Sequence, residues 1–207
     1  MKTFTLIGLL DRETTKFISK KRNELSKMTG SKAALEFPPH FSVRNDFKIE
    51  NKLDELIERL GELMKSYQQM KINLKNYGFY PQWNVVYVGI IKSKILQDLH
   101  NEIMNIIQEY RTSWVEPILL ENKHFKGIQK EYVIKYGYQF SFDFYSPHIT
   151  IAGADMSKEA FLKVKGVLEK EKLEREVRVP SLILVDREEG NSMYHKFSLG
   201  NQLSSTQ

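Results

Sequence analysis

The chain has no cysteine among its 207 residues, which excludes disulfide staples, a thiol nucleophile and cysteine-bound zinc. That absence fits a reducing compartment, so a cytoplasmic protein is expected. No long hydrophobic run is present. The apolar stretch from Phe4 to Leu10 is interrupted by Thr5, is too short for a membrane span, and passes into Asp11-Arg12 without a small-residue cleavage site. No membrane partner is expected, and the stretch reads as a first strand. Charge of neither sign dominates: 31 Lys and Arg against 26 Asp and Glu leave a formal charge of +5, a mild bias towards a polyanionic partner. With 41% hydrophobic residues the chain can bury a core, and a single domain of two lobes over 1–207, working as a monomer, is the expectation.

Histidine and proline are also scarce, with five and six copies, yet they occur together twice. Pro39-His40-Phe41-Ser42-Val43 and Pro147-His148-Ile149-Thr150-Ile151 share one plan: proline, histidine, apolar residue, small hydroxyl, β-branched residue. Each reads as a strand whose period-2 alternation sends histidine and hydroxyl to one face and the apolar pair to the other. A lone histidine on a strand is more often structural than catalytic. Two matched copies are a kit for phosphoryl chemistry, in which one imidazole serves as base and the other as acid while the hydroxyls hold phosphate oxygens.

The order of elements repeats as well. A strand at Thr3–Leu10, a helix-forming segment at Glu13–Met28, the His40 strand, an amphipathic helix with Leu53, Leu56, Ile57, Leu60, Leu63 and Met64, and a strand at Met70–Phe79 make the first half. The second half supplies a strand at Val85–Ile91, with Gly89 in register with Gly8, and a helix striped by Ile95, Leu96, Leu99, Ile103, Ile106 and Ile107. The His148 strand, a helix capped by Ser157, a strand at Val177–Asp186 and a last strand at Met193–Leu199 follow. Two repeats divided near residue 82 are therefore expected, the second carrying an insertion at about 114–145. That segment is aromatic and basic. It reads as a flap or hairpin beside the site, with Lys123, Lys126, Lys130 and Lys135 placed to contact a nucleic-acid backbone and tyrosines placed to stack on bases.

On the motifs His40-Phe41-Ser42 and His148-Ile149-Thr150 and the duplicated order of elements, the sequence resembles the 2H phosphoesterase superfamily, which includes the LigT-like 2',5' RNA ligases and cyclic phosphodiesterases. Serine stands at 42 where threonine is commoner. The resemblance implies an α+β, bilobal, duplicated fold, in which two pseudo-symmetric antiparallel sheets form a concave groove with helices outside. It also implies metal-independent chemistry at an RNA-type phosphodiester, 2',3'-cyclic or 2',5'-linked.

The residues assign His40 and His148 as the acid and base pair and Ser42 and Thr150 as phosphate ligands, with Arg44, two residues beyond Ser42, as a further cationic contact. Tyr80, Trp83 and Tyr145 are candidates for base stacking at the groove rim. His100 sits between Asp98 and Glu102 on a helix with no second histidine at ligand spacing, so neither a metal nor another cofactor is expected. His124 and His195 read as exposed or packing residues, and Lys20-Lys21-Arg22 as a solvated helix face. The expected substrate is RNA or a small nucleotide, with joining of ends open to the same site by microscopic reversibility. A nucleic-acid-binding module without chemistry is the alternative. Binding alone needs positive charge and stacking, not a matched acid and base.

Overall fold

A computed structural model describes residues 1–68 and 70–199; the tail of the second repeat, 200–207, lies outside them. The elements run β1 (Lys2–Leu9), α1 (Arg12–Thr29), β2 (His40–Ile49), α2 (Leu53–Ser66), β3 (Met70–Tyr80), β4 (Val85–Ile90), α3 (Lys94–Tyr110), α4 (Pro117–Glu121), α5 (Gly127–Tyr136), β5 (His148–Ala152), α6 (Lys158–Leu168), β6 (Glu174–Val179), β7 (Ser181–Asp186) and β8 (Ser192–Ser198). Two antiparallel four-stranded sheets form, in the orders β2-β1-β7-β8 and β5-β4-β3-β6. The fold is the expected α+β arrangement.

The strand expected from Val177 to Asp186 is in fact two. Proline has no N–H to give a ladder, and at Pro180 the chain leaves one sheet for the other: β6 closes the second sheet and β7 enters the centre of the first. β3, from the first half, likewise belongs to the second sheet. Residue 82 therefore lies in the connection between two strands of one sheet, β3 and β4, and the lobes do not follow the halves of the chain. The helices cross over too, since α1, which follows a strand of the first sheet, packs on β5 and α6, while α3, which follows a strand of the second, packs on β2 and α2.

Burial explains the two central strands of the first sheet. Phe4 to Gly8 and all of Ser181–Asp186 are covered or nearly so, which suits continuous apolar runs between two packed faces. One core runs through both sheets, with Phe4, Leu6, Phe41 and Val43 on one side and Val86, Val88, Ile149 and Ile151 on the other. The ladders set His40 opposite Leu9 and His148 opposite Gly89. Gly8 and Gly89 are thus offset by one residue rather than in register. Gly8 makes room for the Phe41 ring, which would lie 2.2 Å from any Cβ placed there.

The segment 114–145 is helical rather than a hairpin. It contains α4, α5 and a 3-10 turn at Phe142–Phe144, and α5 ends at Gly137 with φ of 66°, a left-handed cap that favours glycine. Among the described residues no helix is long and apolar enough to cross a membrane.

Candidate active site

β2 and β5 are edge strands of their own sheets, and they approach each other where the sheets meet. Their carbonyls are satisfied by side chains from distant parts of the chain. Tyr145 Oη donates to the Ser42 carbonyl at 3.2 Å, and the Arg22 guanidinium donates to the Thr150 carbonyl through Nε at 3.0 Å and Nη2 at 2.8 Å. Each edge strand thereby has a backbone acceptor taken by a side chain instead of a further strand.

His40 opens β2 and His148 opens β5, and both rings are held the same way. Nδ1 donates at 2.8 Å to the carbonyl two residues back, that of Pro38 for His40 and that of Ser146 for His148. Because a carbonyl only accepts, each Nδ1 carries hydrogen, and each neutral ring keeps its lone pair on Nε2. Two matched imidazoles with the same tautomer stand across one groove.

The groove has two compartments sharing a wall made by Ser42, Asn45, Val85, His148, Thr150 and Ala154. The larger, about 570 Å³, is bounded by aromatic and amide side chains: Tyr80, Trp83, Tyr138, Phe140, Gln82 and Gln139. Tyr80 stacks on Tyr87 with centroids 4.5 Å apart and meets the His148 ring edge-on at 5.3 Å, while Phe140 meets it at 5.9 Å. The smaller, about 280 Å³, contains His40 and has the charged side chains of Arg22, Arg187 and Asp46, with Thr5, in its wall. Phe37 meets the His40 ring edge-on at 5.0 Å.

Burial depresses both imidazoles. His40 is lowered to about 4, first by desolvation and then by the positive charges of Arg22 and Arg187 and by His148, with the Pro38 carbonyl opposing. His148 is lowered by desolvation against the support of the Ser146 carbonyl. Both rings are therefore neutral at neutral pH in the free protein.

His40, Ser42, His148 and Thr150 come together as the motifs require, and Tyr80 and Trp83 join them. Arg44 does not. Two register shifts between Ile7↔Ser42 and Phe4↔Phe47 insert extra residues into β2, so Arg44 pairs with Leu6 on the core side and Asn45 takes the groove position. The Arg44 guanidinium is fully buried, donating at 2.8 Å to the Tyr136 carbonyl and lying over the Tyr138 ring at 4.8 Å. Tyr145 is also removed from the rim: it is 3% exposed and stacked on His100. None of Lys123, Lys126, Lys130 and Lys135 lines the groove, which the insertion reaches through Tyr138, Gln139 and Phe140.

Arg22, expected on a solvated face, is only 4% exposed. The buried positions of α1 are Thr14, Ile18, Arg22 and Leu25, so the arginine occupies a place in the stripe where an apolar residue belongs. That spacing is the signal that marks it. Asn45 and Phe140 carry no comparable signal. His100 is buried within the α3 stripe, His124 is exposed, and His195 packs beside Phe197 on β8. Among the described residues no three His, Asp or Glu side chains cluster in a way that could hold a metal ion.

The sequence profile of the 2'-5' RNA ligase superfamily matches residues 16–191. No curated protein matches the chain. Among solved structures, TT0787 of Thermus thermophilus is similar with a TM-score of 0.62 at 13% identity, covering 97% of this chain and 100% of its own. LigT of E. coli is similar in its apo form, with a TM-score of 0.58 at 12% identity over 97% and 98% of the two chains. Its complex with 3'-AMP gives 0.59 at 13% over 97% and 99%. At these identities the likeness is one of fold.

Proposed function

Since the chain belongs to the 2'-5' RNA ligase superfamily of 2H phosphoesterases, we propose that it is a metal-independent phosphodiesterase acting on a 2',3'-cyclic or 2',5'-linked RNA-type phosphodiester, with His40 and His148 as its acid and base. The observation that carries this reading is the identical tethering of the two rings, each through Nδ1 to the carbonyl two residues back, on facing strands of one groove. A site that only bound nucleotides would need neither the match nor the shared tautomer. The complex of E. coli LigT with 3'-AMP adds that a relative of this fold accepts a nucleotide.

The chemistry divides between the two Nε2 atoms. One takes the proton of the attacking hydroxyl or water while the other gives a proton to the leaving alkoxide, and the two exchange states over a turnover. In the free protein both rings are neutral, so the acid must gain its proton as the anionic diester binds and raises its pKa. Ser42 and Thr150, in the wall common to both compartments, donate to the non-bridging oxygens, where charge grows in the transition state. Tyr80 and Trp83 offer faces to a base. The same site run backwards joins ends.

Incubating the purified protein, in chelator, with 2',3'-cyclic nucleotides and with 2',5'- and 3',5'-linked dinucleotides tests this. Turnover of the first two classes is expected. Nucleotide binding without any turnover would mark a binding module instead.

A further inference from the structure

The two compartments differ in charge. The larger contains no arginine or lysine in its wall, whereas the smaller contains Arg22 and Arg187 beside His40. Arg22 is nearly fully buried, and its hydrogen bonds run to neutral carbonyls, those of Thr150 and Phe37, the latter at 2.7 Å from Nη1. A guanidinium has five N–H donors, and three are used in these bonds. A buried cation with neutral partners alone leaves its charge uncompensated, a costly arrangement unless an anion completes it. Arg187 lines the same compartment, ion-paired with Asp46 at 3.3 Å from its Nε and bonded to Asn191, so the two arginines and one carboxylate of this wall leave a net positive charge. Both cations add to the burial that lowers the His40 pKa.

We propose that the His40 compartment is a subsite for a second phosphate, so that the preferred substrate is a nucleotide bearing a phosphate group next to the scissile diester. Its base lies among Tyr80, Trp83 and Phe140 on the His148 side, and its flanking phosphate lies against Arg22 and Arg187. This rests on the phosphodiesterase reading for its kinetics but not for its binding. The aromatic residues line one compartment and the cations the other, with Ser42, His148 and Thr150 in the wall between them, and that asymmetry gives the groove a direction.

The test compares 2',5'-linked dinucleotides without a further phosphate, with a 5'-terminal phosphate and with a 3'-terminal phosphate, together with a 2',5'-linked trinucleotide. Wild-type kcat/KM is expected to favour at least one phosphorylated form by roughly tenfold, as one charge-assisted contact implies. In Arg187→Gln, a change at a partly exposed side chain, the ratio should fall towards one. The trinucleotide separates an internal diester from a terminal monoester as the recognised group. Equal kcat/KM for all forms in the wild type, or a ratio that survives in Arg187→Gln, overturns the proposal. Calorimetric titration with adenosine 2'-phosphate and adenosine 2',5'-bisphosphate keeps the two readings apart. Tighter binding of the bisphosphate, lost in Arg187→Gln, supports the subsite even if no diester is turned over, and equal binding of both probes rejects it.

Discussion

The ring of His100 lies flat against that of Tyr145, centroids 3.8 Å apart and planes 4° from parallel. His100 Nδ1 donates to the Val43 carbonyl at 2.9 Å, its Nε2 accepts from the Phe142 N–H at 3.1 Å, and Tyr145 Oη donates to the carbonyl of Ser42. Consecutive carbonyls of the His40 strand are thus pinned from α3 and from the insertion. The stack fixes the strand from behind while its other face works in the groove.

This arrangement requires a neutral His100, because both nitrogens are already committed. Burial, with smaller contributions from Arg44 and Lys92, lowers its pKa to about 3, from an ordinary 6.5. Between these values the unfolded chain binds the proton that the folded chain refuses, so stability rises with pH across that window and falls as pH drops through it. Each unit of depression corresponds to about 1.4 kcal/mol. Urea unfolding of His100→Gln, whose amide keeps a donor and an acceptor, should show a smaller loss between about pH 7 and pH 4.5 than the wild type. An unchanged loss would remove His100 from the account. Tyr145→Phe, which strips the Ser42 carbonyl of its donor, should cost about 1–3 kcal/mol at neutral pH.

Turnover should depend on both imidazoles. His40→Ala and His148→Ala are each expected to reduce kcat by roughly 10²- to 10⁴-fold with the fold retained by circular dichroism, since either loses one proton transfer. Near-normal activity in one of them would break the paired assignment. Ser42→Ala and Thr150→Ala should lower kcat by about 10- to 10³-fold through loss of a phosphate-oxygen donor. If the double alanine variant turns over like the wild type, the hydroxyls do not touch the phosphate.

The pH profile follows from the depressed imidazoles. kcat/KM reports the free enzyme, which needs one ring protonated, so its bell should centre below pH 6.5. The profile of kcat, measured with the anion bound, should lie at higher pH. An optimum of kcat/KM above about pH 7 would contradict the site electrostatics. EDTA should leave the rate unaltered; a metal-dependent rate with a single ionisation would point to a different mechanism.

Substrate contact by the insertion should run through its aromatic turn. Phe140→Ala is expected to raise KM by several-fold to about a hundredfold, the range for loss of one base-stacking ring at about 1–3 kcal/mol. Replacing Lys123, Lys126, Lys130 and Lys135 together by alanine should change KM for oligonucleotides less than Phe140→Ala does. The reverse ranking would restore the lysines to the site.

Much of this is legible in sequence because strand alternation is rigid over short spans: His40 with Ser42, and His148 with Thr150, need only two steps of it. It fails at Arg44 for a local reason. A bulge leaves no mark in residue type, and here it moves the next position to the core, with Asp46 taking a φ of 26° to close the irregularity. Arg22 is obscured by its neighbours, since Lys20-Lys21-Arg22 has the composition of a solvated face although only its last member is turned inward. Tyr145 is hard to place because a tyrosine near a strand start reads the same whether its ring meets solvent or, as here, a buried histidine. The sheet assignments of β3 and β7 depend on which ladders close across the molecule, and local periodicity does not encode that.

The break at Pro180 has a consequence for synthesis on the ribosome. β1 has β7 as its neighbour at the centre of the first sheet, so its second ladder stays open until all the elements between them have been translated. Loop closure over such a distance is slow and leaves a hydrophobic edge uncovered meanwhile. The His40 strand can pair with β1 early, but the sheet beneath it is completed only when β7 and β8 emerge. A nascent or truncated chain therefore displays both motifs without the groove that would make them an enzyme.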